Sequence, residues 1–161
     1  MIAFSVVLFM MVACGQDERI ANLEKQNQEL KAEMEKGRAT ADYDLQAKCS
    51  KDARAWFNEN WSRDKDTVML DFSNHYNKSQ NKCFILVEFH YSIDTNGSWA
   101  NNMTLWDVYE NSKFGAFTEY HTIYFKPVAS TSDRVITCEL FAQKCKTGNE
   151  FNGLVQPYLS N

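Results

Sequence analysis

Residues Cys83 to Tyr91 read CFILVEFHY. Cys83, Ile85, Val87, Phe89 and Tyr91 alternate with Phe84, Leu86, Glu88 and His90, the period of two expected when successive side chains point to opposite faces of a sheet. The chain on either side extends the pattern. Val68 to Tyr76 forms a strand with Val68, Leu70 and Phe72 on one face, and the polar loop NKSQNK joins it to Cys83. After Tyr91, the stretch DTNGSWANN (Asp94 to Asn102) is rich in turn formers and reads as a loop. MTLWDVYE and FGAFTEYHTIYF then flank a hairpin turn at Asn111-Ser112-Lys113, and RVITCELFAQKC gives a last strand reaching Cys145.

Helical spacing brackets these strands. Leu45, Cys49, Ala53, Trp56, Phe57 and Trp61 fall on one apolar stripe, while Lys48, Lys51, Asp52, Arg54 and Glu59 lie off it, which predicts a helix laid on the sheet. At the other end Thr147-Gly148-Asn149-Glu150 matches the capping box that opens a helix. Phe151, Leu154, Val155, Tyr158 and Leu159 supply its buried face, and Pro157 ends or kinks it. The expected fold is α+β: an antiparallel sheet of four to five strands, with helices packed on one face.

A length of 161 residues supports one such domain with an appendage, and 14% aromatic residues supply ample material for its core. A net charge of −4 leaves no excess of Lys and Arg to neutralise phosphates, so a nucleic-acid partner is not expected.

The appendage is Asp17 to Arg38, DERIANLEKQNQELKAEMEKGR, which has no proline and no aromatic residue. Ile20, Leu23, Leu30 and Met34 fall at heptad a and d positions, and Asn27 fills the remaining a position. Both a solvated spacer helix and a short coiled coil fit this pattern. The second would make the protein a homo-oligomer through its stalk. The pattern breaks from Gly37 to Ala41, which divides the chain into 1–13, a stalk at 14–40 and a globular domain at 41–161.

Ahead of the stalk, Ile2 to Ala13 is an uncharged apolar run. Twelve helical residues span about 18 Å, short of a hydrocarbon core of about 30 Å, so the run suits a secretory signal better than a membrane span. It ends in Met11-Val12-Ala13-Cys14-Gly15, which resembles the lipobox of bacterial lipoproteins, whose cysteine is acylated and becomes the first mature residue. Met11 stands where that family favours Leu, and no Lys or Arg precedes Arg19. The resemblance implies a signal peptide at 1–13, palmitate-type lipidation at Cys14 and a membrane-anchored protein of the cell envelope. In that family Asp directly after the cysteine favours the inner membrane; Gly15 stands there, which by resemblance implies the outer membrane. The string HYNKSQNKCF (His75 to Phe84) is similar to a motif of small uncharacterised bacterial envelope proteins, a resemblance that implies no activity.

With Cys14 assigned to the lipid, Cys49, Cys83, Cys138 and Cys145 remain, an even number that suits two disulfides in an oxidising periplasm. Three connectivities are open. Cys49–Cys83 with Cys138–Cys145 is favoured, provided the chain turns between the last two, since seven extended residues would part their Cα atoms by about 23 Å. Zinc is disfavoured because no C-x-x-C pair occurs, and His75, His90 and His121 read as strand residues among aromatics rather than as a metal site. No cofactor is expected.

No chemistry of catalysis stands out. There is no G-x-S-x-G elbow, P-loop or glycine-rich dinucleotide turn, and the acid pair Asp107 and Glu110 is one that any surface strand offers. The expectation is a non-enzymatic envelope lipoprotein that presents its domain to a protein partner. The alternative is an inhibitor or exclusion lipoprotein acting against an envelope hydrolase or a phage receptor. Trp99 and Trp106 are the aromatics least committed to the core pattern, and Tyr76 is expected to be exposed beside a recognition loop. Trp99, Tyr76 and His75 are accordingly the expected binding residues, since Trp and Tyr often anchor interfaces.

Overall fold

The computed structural model describes residues 2–124 and 130–160. The side chains of residues 1–17, and with them the expected signal segment and the lipidation site Cys14, lie outside what it describes. The element order is helix α1 (Ile2–Asn60), strands β1 (Thr67–Asn77), β2 (Lys82–Ser92), β3 (Trp99–Asp107), β4 (Ser112–Tyr124), β5 (Ser130–Leu140) and β6 (Gln143–Lys144), then helix α2 (Gly148–Val155). Two compact units divide the chain, Met1–Tyr43 and Asp44–Asn161.

The heptad pattern ends at Gly37 to Ala41 but the helix does not: in place of two helices, α1 is helical throughout. A lone glycine in an exposed helix interior costs only about 1 kcal/mol, and the residues around it, Glu35, Lys36, Arg38 and Ala39, are good helix formers. Thr40 turns its hydroxyl inward and donates to the Lys36 carbonyl at 3.1 Å, one turn back. Among the described residues, no helix is long and apolar enough to cross a membrane.

Among the described residues the sheet has six strands in the order β1-β2-β3-β4-β5-β6, every neighbouring pair antiparallel. The α+β class stands, and the expected four to five strands become six. The added strand comes from the segment read as one continuous strand to Cys145. It stops at Leu140, turns through Phe141 at φ 52° and returns as β6. That turn brings Cys145 back to donate its amide to the Cys138 carbonyl at 3.0 Å, and the two cysteines form a disulfide. Cys49 and Cys83 form the other, tying α1 to the start of β2 with Cα atoms 5.4 Å apart.

The helices do not share a face. Cys49, Ala53 and Trp56 of α1 pack against Cys83, Ile85 and Val87 of β2 and Leu70 of β1, with Leu45, Phe57 and Trp61 beside them. Phe151 and Val155 of α2 pack against Phe84 and Leu86, which alternate with the first set and so lie on the opposite face, together with Met103, Leu105, Phe117 and Leu140. The physical reason lies in β2 itself: both parities of CFILV are apolar, so each face of the central sheet needs a cover. The α2 cap forms as expected, with Thr147 Oγ1 accepting from the Glu150 amide at 3.2 Å. Glu150 Oε2 reaches back to the amide of Lys146 at 2.8 Å, one residue ahead of the cap. At Pro157 the helix gives way to a single 3-10 turn, Gln156–Tyr158.

Candidate functional site

Eight helical residues extend only about 12 Å, so α2 covers part of its face of the sheet. Its first residue, Gly148, sits over Met103 and Phe117. Beyond that row the register carries the same face outward. His90 pairs with Asn101, Ser92 with Trp99, Asn101 with Glu119, Trp99 with His121 and His121 with Asp133. Directly opposed residues in antiparallel strands point to one side, which assembles the half-buried Glu88, His90, Trp99, Asn101, Glu119 and His121 on one surface with the exposed Asp133 at its edge.

Trp99 is its centre. The indole lies between two imidazoles, with His90 at 6.0 Å and 20° on one side and His121 at 5.1 Å and 14° on the other. Asp133 engages Nδ1 of His121 and fixes the outer ring. The β2–β3 loop sets where β3 starts. Asp94 Oδ1 accepts from the amides of Asn96 at 2.8 Å and Ser98 at 3.1 Å, and Gly97 takes φ 90° between them. These bonds, that of the Ser98 amide foremost, hold the Asp94 carboxyl below its usual range. Ser98 is buried and its hydroxyl oxygen accepts from the Ile123 amide at 3.1 Å, which ties the loop to β4.

A cavity opens on either side of His90. One, of about 440 Å³, is mostly apolar and is lined by Val68, Ser92, Gly97, Ser98 and Trp99. The other, of about 420 Å³, lies between the sheet and the start of α2 and is lined by Glu88, Asn101, Met103, Glu119, Asn149 and Asn152. Among the described residues, neither is lined by a lysine or an arginine. Among the same residues the carboxylates of Glu88 and Glu119 have no ion pair or side-chain hydrogen bond, and Asn101 Oδ1 is buried without a donor. The surface therefore presents unfilled acceptors around an aromatic stack. Its chemistry suits a ligand that brings donors, such as an ammonium, a guanidinium or a hydroxyl.

The three expected binding residues do not converge. Trp99 pairs with Ser92, whereas His75 and Tyr76 pair with Phe84 and Cys83, so the two groups sit about 27 Å apart along β2. Tyr76 is buried, not exposed; it belongs to the α1 core and its hydroxyl donates to Asn81 Oδ1 at 2.6 Å. His75 lies half-buried on the α2 face. Trp106 is not uncommitted either, since it packs 5.4 Å from Trp56 beneath α1. The stretch Trp99 to Asn102, expected as loop, is the first half of β3.

Two other groups are structural. Asn77 Oδ1 accepts from the Ser79 hydroxyl and the Gln80 amide, and its Nδ2 donates to the Pro157 carbonyl at 2.9 Å, so the string around NKSQNK latches a turn to the chain's end. The acid pair Asp107 and Glu110 shares one ammonium, Lys82 Nζ, at 2.5 and 2.6 Å. Asp107 Oδ1 also accepts from the Tyr109 amide at 3.0 Å, which locks the β3–β4 turn. The two carboxylates, Asp107 first, raise the Lys82 pKa. His90 and His121 lie on strands among aromatics as expected, although they were not expected as site residues; Asp133, Glu88, Asn101 and Glu119 escaped the sequence reading. The signal that was available is the alternation of Glu88 and His90 with the α1-facing set. Compared with protein-family models, curated proteins and solved structures, the chain matches none of them.

Proposed function

We propose that this protein is a non-catalytic lipoprotein of the cell envelope, anchored by lipid at Cys14 and spaced from an outer-membrane leaflet by residues 17–38. Its disulfide-bonded domain binds a protein partner. The observation that carries the binding role is the Trp99 stack beside a cavity whose acceptors, Glu88, Glu119 and Asn101, have no donor of their own among the described residues. Aromatic side chains supply large, rigid contact area, and a lysine or arginine from the partner would satisfy the acceptors. Paired cysteines suit an oxidising compartment, which supports an exported domain.

The anchor and the binding face are tested separately. The anchor predicts that protein extracted from membranes has the mass of a chain starting at Cys14 plus acyl groups; an unprocessed, unacylated mass overturns it. For the face, a photo-crosslinking residue at Trp99 or Glu119 should capture one defined envelope protein. A Glu88→Gln/Glu119→Gln variant, still folded by tryptophan fluorescence, should lose that capture at least tenfold. Capture that survives the double variant refutes this face as the contact.

A further inference from the structure

The helix of the first unit leaves an apolar seam uncovered. Ile20, Leu23, Leu30 and Met34 are each 55–58% exposed, and they recur at heptad a and d positions with Asn27 at the middle a position. A solvated spacer has no need for such periodicity. The flanking charges follow the same repeat: Arg19, Gln26 and Glu33 take g, and Glu24, Lys31 and Arg38 take e. We propose that a second copy of this chain occupies the seam in a parallel, two-stranded coiled coil with Asn27 facing Asn27. This rests on residues 17–38 being the stalk of the reading above, and it needs neither the lipid nor the binding face.

Charge alone does not select the direction. In a parallel pair each g residue meets the e residue five positions on in the other chain, so Arg19 meets Glu24, Gln26 meets Lys31 and Glu33 meets Arg38, two of the three opposite in sign. An antiparallel pair would set Arg19 near Glu33, also opposite in sign. Asn27 decides between them. In a parallel pair a positions meet a positions, and the two carboxamides satisfy each other. In an antiparallel pair a meets d, and each carboxamide would be buried against a leucine with no partner. The ion pair of Lys25 with Glu29 at 3.9 Å, within this unit's own helix, lies off the seam and leaves the g and e charges to the second copy.

Sedimentation of the full chain in density-matched non-ionic detergent tests this. The expected result is a reversible monomer–dimer equilibrium with no higher species. Leu23→Asp should weaken it more than a hundredfold. Arg19→Glu should weaken it about fivefold, since each dimer has two such contacts. Arg19→Glu combined with Glu24→Arg should restore the original constant, because the pair is swapped in a parallel dimer. In an antiparallel dimer the same double variant sets the new carboxylate at position 19 against Glu33 and the new guanidinium at position 24 against Lys31, and affinity falls further. A monomer at all concentrations, a dimer indifferent to Leu23→Asp, or failure of the double swap to restore affinity each overturns the proposal. Trp99→Ala should leave the dimer constant unchanged, so a failed stalk and a failed binding face give different readouts.

Discussion

Removing the two disulfides one at a time separates long-range from local covalent constraint. In the chain-entropy treatment the bond's effect grows with the loop it closes, giving about 3.8 kcal/mol for the 34-residue separation of Cys49 and Cys83 and about 2.4 kcal/mol for the 7-residue separation of Cys138 and Cys145. Burial widens the gap. Cys49 and Cys83 are both fully buried between α1 and β2, so replacing both by alanine also leaves a void, whereas Cys145 is only half-buried. The paired variant Cys49→Ala/Cys83→Ala should therefore lose at least about 1.4 kcal/mol more than Cys138→Ala/Cys145→Ala, a factor of about ten in the folding constant. Urea unfolding followed by tryptophan fluorescence reads this directly, because Trp56, Trp61, Trp99 and Trp106 all lie in the second unit. At a slope of about 1.5 kcal/mol per molar urea, the midpoint should fall by roughly 2.5 M for the first pair and roughly 1.6 M for the second. Equal losses, or a larger loss for the local pair, would refute the reasoning.

Other substitutions probe single features. Gly115→Ala should destabilise the domain by about 1–3 kcal/mol, since a Cβ there would lie 2.5 Å from Leu140 Cδ1 and 2.7 Å from the Glu139 carbonyl oxygen; Gly37→Ala, with open space around it, should raise helicity by circular dichroism. Thr147→Ala removes the α2 cap and should lower stability by about 1 kcal/mol in the same urea assay, while Thr147→Asp should not. The Asp94 carboxyl is held below its usual range, so the loop's stability is present above the ordinary carboxylate pKa and is lost as pH falls through the lowered value. Hydrogen exchange at the amides of Asn96 and Ser98 should accelerate, beyond the intrinsic pH trend, only under acid; in Asp94→Asn that acid-dependent step should be absent.

The sheet and both helices were legible because their periods are strong: two in CFILVEFHY, and three to four in the Leu45–Trp61 stripe. The sixth strand was not, because the turn that creates it uses Phe141 at φ 52°, where neither glycine, asparagine nor proline marks a bend. The opposite placement of the helices was written in β2, whose even positions Phe84 and Leu86 are as apolar as its odd ones. The site was only partly readable. Trp99 was singled out, but reading Trp99 to Asn102 as loop hid the register that sets it between His90 and His121. Tyr76 misled because Asn81, a residue fitted for turns, also accepts a buried phenol. Pairings with distant parts of the chain decide such matters, and local composition does not carry them.

The order of the cysteine pairs has a consequence for how the chain matures. The first of the four bonds to the second and the third to the fourth, so neither covalent loop encloses the other. The strands likewise lie side by side in the order of the chain. A polypeptide delivered amino-terminus first to an oxidant can then close each bond as its second cysteine arrives, and each new strand docks on the one just before it. Sequential oxidation yields the native connectivity, with no bond that must later be broken and exchanged.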